Sequence, residues 1–576
     1  MKKILLLLVL FSCASINEPI NDFDLSFENL DGTRAKWILL NNKAIAGMNI
    51  KEHIDGKGSI CFLSDQLLNP FNACVFQTIQ LPVTAQNIEL SVYAKSSFID
   101  DFWLRLLCLD GDENLLRRDS VNLASPNGWK KITLATRATG TQRIYIEAGA
   151  STKAPLNPGK KVFSEAYIDH ITINLDGRSI ETIVKPEYHD DKDEIRKIKD
   201  NYSLTQNSIE GLCKLKEFQD HTILGFGETV HGSREIQEFE FEAIKQLIKN
   251  NNCKLVIFEV PFDLGLRLNA YVEGDEQESI ENLMFLLNMD IPELTGFLNW
   301  VKQYNKQNAN RVTISGLDVK PTHQEDHLAI FLKNSQIANR MVIDQLLQNI
   351  SDKNYDKAIQ VVENNKAGFR NLNIQRCILR ALKARMALQA PLLGFGIENR
   401  EYIQFQNIQF LINTFISDGE KVAILAHACH LDKRNNLGNR YYVQNLGNYL
   451  TCEYSVNYFV TDIHVGKGTI TSLYKNGYES NLSLMEAPDG SLEKMCLKAD
   501  DDFFYKNMSG IKSLQSGRFI GADYMYNQFF SYSHVGRYDG LVFIKNSTGN
   551  RLPESWPKTN KEIREYLKTN TGVKTR

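Results

Sequence analysis

The chain is 576 residues long, more than one ordinary core holds at ~100–200 residues per domain, so two or three domains are expected. Apolar residues at 43% and charged residues at 23% exclude a disordered chain, and 14 prolines without biased tracts exclude a collagen or a mucin-like stalk. Lys and Arg number 66 against 69 Asp and Glu, a net charge of −3 that gives no global pull toward nucleic acid or an anionic membrane.

Lys2 and Lys3 precede the apolar run Ile4 to Phe11, followed by Ser12 and Cys13. A charged start and a short apolar stretch read as a secretory signal over residues 1–12. That run is too short to cross a bilayer, which needs ~20 apolar residues. Leu10-Phe11-Ser12-Cys13 resembles a bacterial lipoprotein box, with Phe at its second position a departure. The resemblance implies a lipid anchor at Cys13. It also implies export to the periplasm or outer membrane, with the anchor as the only membrane contact. The remaining cysteines are scattered without a CxxC pair, which argues against a structural zinc site; Cys61 and Cys74 are a candidate disulfide.

Residues 20–180 read as a β-sandwich. Short alternating runs, such as Ile88 to Val92, Arg143 to Glu147 and Ile171 to Leu175, are separated by turn segments such as Asp110-Gly111-Asp112 and Pro126-Asn127-Gly128. Six or seven strands are expected. Asn127-Gly128-Trp129-Lys130-Lys131-Ile132-Thr133 resembles a late strand of jelly-roll carbohydrate-binding modules. The resemblance implies a polysaccharide partner, with Trp37, Trp103 and Trp129 as candidate stacking platforms; core or rim tryptophan is the plainer reading. Residues 181–207 are charged and irregular and read as a linker that turns into a solvated helix.

From residue 208 to 555 the period changes. Thr222 to Gly227 is a short apolar strand, and Ser233 caps a helical run through Ile236, Phe239, Ala243 and Leu247. Leu255 to Phe258 is the next strand, which completes a βαβ unit and implies a mainly parallel, covered sheet. Arg311 to Leu317 and Lys421 to Ala426 add strands, with Ser455 to Val460 and Gly540 to Ile544 later. Helical stretches are expected at Phe297 to Tyr304, Leu328 to Leu347 and Arg400 to Phe415. Residues 556–576 are a tail. The fold class is thus multidomain: an all-β sandwich, then an α/β domain with large helical insertions.

Four apolar strands run directly into ionisable residues: Glu228 and His231, Glu259, Asp318, and His427 with His430. Carboxyl ends of parallel strands share one edge, where ligands bind, so these residues should converge across some 200 residues of chain. Nucleophile elbows, HExxH and phosphate loops are absent. His323-Gln324-Glu325-Asp326-His327 lacks the zinc-protease order and reads as a solvated loop. A site rich in His and Glu suits attack by water: one His takes the proton, carboxylates hold it, and another His supports the oxyanion. The same set, His231, Glu228, Glu259, His427 and His430, could hold a divalent metal.

Gly227-Glu228-Thr229-Val230-His231-Gly232, Phe258-Glu259, Arg267 to Val272, Gly316-Leu317-Asp318-Val319, Asn399-Arg400-Glu401, Ala426-His427-Ala428-Cys429-His430 and Tyr538-Asp539-Gly540-Leu541 resemble, in order, the erythromycin esterase family. The resemblance implies a hydrolase of a small-molecule ester or lactone, without a covalent intermediate. It implies His231 as the base, Glu228 and Glu259 as essential carboxylates, and His427 and His430 as pocket histidines. Asp318, Arg234 and Arg400 are the candidate substrate-binding residues. Glu240 stands where many members carry a basic residue, which bears on substrate charge preference; Glu401 replaces a common Asp; the sandwich is an addition to the enzyme core. Two other readings stand beside it: a metal-dependent hydrolase of another bond using the same His/Glu cluster, and a non-catalytic surface lipoprotein that binds glycans through the sandwich.

Overall fold

The structure is a computed structural model. It describes residues 25 and 27 and, between 38 and 551, all but a set of short segments; the longer of these are 65–70, 153–163, 184–191, 284–291, 320–325, 390–395, 434–444, 512–516, 522–527 and 531–535. Cys13, Trp37, His323 and the tail 556–576 therefore lie outside the described residues. The chain divides into two compact units, residues 1–189 and 190–576.

The first unit is a two-sheet β-sandwich. One sheet has the order β1 (Ile38–Asn42), β4 (Phe71–Gln80), β9 (Arg143–Thr152), β6 (Asp101–Leu109) and β7 (Leu115–Asn122). The other has β2 (Ile45–Asn49), β3 (Ser59–Ser64), β10 (Ser164–Leu175), β5 (Asn87–Ser97) and β8 (Lys130–Arg137), with β11 (Arg178–Ser179) on β10. Alternate residues face inward, as in β5 and β6, so Leu90, Val92, Phe102, Leu104, Ile144 and Ile146 fill one core. The described strands exceed the six or seven expected. β7 carries almost no buried residue because it is a sheet edge, so it lacks the alternation by which strands are read. Cys61 and Cys74 are buried in strands of different sheets.

Trp103 is not an open platform. Its ring lies over Gly149, where a Cβ would approach the indole to 2.4 Å, and the Arg105 guanidinium sits 4.8 Å from its centroid. Its Nε1–H donates to Glu147 Oε1 at 2.7 Å. Trp129 is half-buried, tilted against Tyr167 at 6.3 Å.

The second unit is built on a mixed sheet. Its main path is β12 (Tyr202–Ser203), β19 (Phe503–Asn507), β22 (Gly540–Ser547), β17 (Tyr458–Tyr474), β13 (Ile223–Glu228), β16 (Lys421–His427), β14 (Cys253–Pro261) and β15 (Thr313–Asp318), with β18 (Gly477–Ser483) on β17. A separate ribbon pairs β20 (Gly517–Arg518) with β21 (Phe529–Phe530). β22, β17, β13, β16, β14 and β15 are parallel. Both sheet faces are covered, so the central strands are buried at nearly every position. Leu224, Phe226, Val256 and Leu425 join one core with the Arg234–Asn250 helix. Ile223, Leu255, Ile257 and Ile424 join the other, with the helical insertion. Each such side chain contributes about 1.5–3 kcal/mol by burial.

Three local differences from the sequence reading have physical causes. The stretch read as linker supplies a helix, Lys192–Lys199, and edge strand β12; Ile198 packs with Phe504 and Leu541. Leu328 to Leu347 is two helices, His327–Asn334 and Arg340–Ser351, the second capped by Asn339, whose side chain accepts the Met341 N–H. His327, read as solvated, is fully buried, and burial pushes its imidazole down to about 4.

Candidate active site

Glu228, His427, Glu259 and Asp318 stand at the carboxyl ends of four adjacent parallel strands. Glu228 and His427 are register partners across β13 and β16. Between β14 and β15 the ladder slips after Phe258, so Glu259 leaves regular pairing where the strand ends.

The turn after β13 is tightly held. The Thr229 N–H donates to Ile463 O at 3.1 Å, and the His231 N–H donates to Ile520 O at 3.1 Å. Gly232 has φ +79°, and a Cβ there would lie 1.7 Å from Thr471 O, so only glycine fits. This geometry brings His231 Nδ1 to 2.7 Å from Glu228 Oε1. A carboxylate only accepts, so the proton sits on Nδ1 and the neutral ring keeps its lone pair on Nε2. Among the described residues Nε2 has no hydrogen-bond partner, and a quarter of the side chain is exposed. Burial works against the charged imidazole, but the Glu228 charge and hydrogen bond, with Glu259, outweigh it and hold its pKa above the usual value.

A second cluster lies beside it. Glu259 accepts the His427 N–H at 2.8 Å through Oε2; Oε1 takes His430 Nε2 at 3.1 Å and Arg400 Nη2 at 3.5 Å. His430 Nδ1 meets Glu401 Oε1 at 2.7 Å, and Glu401 Oε2 accepts the Leu446 N–H at 3.0 Å. Burial disfavours a charged His430, but Glu401 and Glu259 override it and keep the ring an imidazolium. Burial likewise opposes ionised Glu259, yet His430 leads the groups that hold its pKa well below the usual range. Arg400 forms a two-pronged pair with Asp318, Nε to Oδ1 at 2.9 Å and Nη2 to Oδ2 at 2.7 Å, and Gln404 donates to Oδ1 at 3.0 Å. Arg400 Nη1 has no partner among the described residues.

His427 differs from the expectation. Its ring lies 4.8 Å from that of His231, but Nε2 bonds Ile520 O at 3.2 Å, which requires an Nε2–H. Nδ1 faces Cys429 Sγ at 2.9 Å and accepts the Cys429 N–H at 3.4 Å. Burial, then His231, push it down to about 3, so it stays neutral. Both nitrogens of His427 and of His430 are engaged by the protein, so neither ring has a donor left for an oxyanion; Arg400 Nη1 does. Burial raises the Cys429 thiol to about 11, which keeps it protonated.

Arg234 lies apart from this cluster in its pairings, held by Glu238 at 2.9 Å and Glu293 at 3.2 Å in the first turn of its helix. Glu240 is 4% exposed, on the buried face of the same helix, which corrects the expectation that it tunes substrate charge. Among the described residues no three His, Cys, Asp or Glu side chains are arranged to hold a metal ion. The candidate ligands are instead paired with one another, His231 with Glu228 and His430 with Glu259 and Glu401. Sequence reasoning placed Glu401 in the motif but missed its pairing with His430. It missed the Ile520 carbonyl altogether, since a backbone group leaves no residue signature.

Residues 393–547 match the family model described as erythromycin esterase. No curated protein matches the chain. Among solved structures the chain is similar to a succinoglycan biosynthesis protein, with TM-score 0.52 and 17% identity, covering 63% of this chain and 98% of that one. It is also similar to a mutant erythromycin esterase EreC in its open conformation, with TM-score 0.44 and 14% identity, covering 62% and 97%. A carbohydrate-binding module solved with β-1,4-galactotriose covers 26% of this chain and 95% of its own, at TM-score 0.21 and 17% identity. At 17% identity the likeness to the succinoglycan biosynthesis protein concerns the fold alone. The family match supports a hydrolase.

Proposed function

We propose that the second unit hydrolyses an ester or lactone with water activated by His231. The observation that carries this is the His231–Glu228 pair: a carboxylate fixes the tautomer and leaves Nε2 unpartnered and accessible. Nε2 takes a proton from water as its oxygen attacks the carbonyl. Glu228 stabilises the resulting imidazolium, and Arg400 Nη1 supports the oxyanion. The imidazolium then returns the proton to the departing alkoxide. No acyl-enzyme forms, because the nearby thiol is protonated and held against His427. The site carries four carboxylates, Glu228, Glu259, Asp318 and Glu401, against the cations Arg400 and His430, which favours a neutral or cationic substrate over an anionic one. Macrolide lactones, the substrates in the matching family's name, belong in that class.

The test is a panel of esters and lactones, with and without chelator. Hydrolysis should be insensitive to the chelator, and His231→Ala should lower kcat by roughly 10²–10⁴-fold. An active His231→Ala protein overturns the role of His231. Loss with chelator and recovery with a divalent ion would favour the metal-dependent reading.

A further inference from the structure

The Arg234–Asn250 helix packs its apolar face on the sheet with Ile236, Phe239, Ala243, Ile244 and Leu247. Glu240 lies on that same face, one helical turn from Ile236 and Ala243, where an unpaired carboxylate has no ordinary place. It is 4% exposed and makes no ion pair among the described residues. Its Oε1 is buried without a hydrogen-bond partner among the described residues. The same is true of Glu228 Oε2, the oxygen of Glu228 that does not face His231. Glu228 is also the charged group that acts on Glu240, and two neighbouring buried acceptors that lack donors are satisfied when one carboxyl carries a proton.

We propose that Glu240 is a positioning residue that stands behind the base as a neutral carboxylic acid and donates to Glu228, completing a line from Glu240 through Glu228 to His231. The inference deepens the proposed function and rests on that reading of His231. Burial first, then the Glu228 charge, drive the Glu240 pKa well above the usual carboxylate range, which fits a retained proton. Among the described residues no other charged group contributes to that shift. Around His231 the groups that matter are Glu228, Glu259 and the His430 imidazolium. A donor on Glu228 Oε2 draws charge away from Oε1 and tempers the pull of Glu228 on His231. Glu240 thereby limits how far Glu228 raises the His231 pKa, and it fixes the rotamer of Glu228.

The test needs no substrate. The His231 pKa is followed by NMR, and protonated carboxyl groups by their infrared carbonyl band, in the full chain and in Glu240→Gln and Glu240→Met. The wild type should show a protonated carboxyl that persists above neutral pH and vanishes in both variants. The amide of Glu240→Gln still donates, so His231 should titrate as in the wild type. Glu240→Met removes the donor, and His231 should titrate at higher pH. A merely space-filling Glu240 would leave the titration unmoved in both variants. That result, or a wild type without the band, overturns the proposal. Should Glu240→Met fail to fold, the band and its loss in Glu240→Gln still decide. An inactive enzyme that shows the band and the shift would sink the proposed hydrolysis and leave this arrangement standing.

Discussion

His231 holds its proton on Nδ1 because Glu228 can only accept there, and the consequence is a measurable pH profile. The neutral ring is the active base, so kcat/KM should rise with pH through a pKa above the ordinary ~6.5 of histidine. Glu228→Gln removes the charge that raises that pKa and leaves burial, which lowers it. The acid limb should move to lower pH while the rate falls on the order of 10²-fold, since the imidazolium loses its counter-charge. A limb that stays in place, measured as kcat/KM against pH, would show that Glu228 does not act on His231. His427 has the opposite fate at nearly the same place. Its two nitrogens are already used, by Ile520 O and Cys429, so its contribution is to hold the loop rather than to move a proton.

At the scale of elements, β17 carries a fully buried ionic group behind the site. His464 meets Asp462 Oδ2 and Glu493 Oε1, each at 2.7 Å. Glu493 Oε1 also accepts the Arg518 N–H at 2.8 Å, and the Arg518 guanidinium holds Gly466 O at 3.1 Å and Met485 O at 2.8 Å. Arg518 stands two residues before Ile520, so the network anchors the segment on which both His231 and His427 rest. Burial opposes the charge on His464, but the flanking carboxylates, Asp462 first, raise it to about 9. A folded pKa above the unfolded value means the stabilisation is complete below about pH 6.5 and is lost as pH rises through about 9. Tm should therefore fall across that window. His464→Leu should remove this slope and cost about 3–5 kcal/mol at neutral pH, because two buried carboxylates lose their partner. A flat Tm profile in the wild type would count against a charged His464. The parallel strands were legible because strands covered on both faces read as unbroken apolar runs, and the residues that ended those runs mark the site edge. Edge strands β7 and β12 were not, since solvent removes the alternation. Glu240 did leave a trace, as the lone acid on an apolar helical stripe. The shared Ile520 carbonyl left none.

For the molecule as a whole, the two units have separate cores, so residues ~20–185 and ~190–576 expressed apart should each give a cooperative unfolding transition. An insoluble second unit would show that the sandwich is needed for its folding. With Trp103 covered, any glycan stacking on the first unit would fall to Trp129 among the described tryptophans there, and Trp129→Ala should abolish retardation in polysaccharide affinity gels. Retardation that survives the substitution would place the contact elsewhere, and none in the wild type would leave the sandwich as a spacer. The Ile520 carbonyl has a consequence in time. It lies roughly 290 residues after His231, an interval the ribosome covers in roughly 15–60 s. Once His427 has emerged, the chain holds both histidines and the acids of β13 and β14, yet for roughly another 90 residues not the oxygen that seats them. A product cut short between His430 and Ile520 would keep the catalytic side chains without the oxygen that seats them, so hydrolytic power is expected only once Ile520 has emerged.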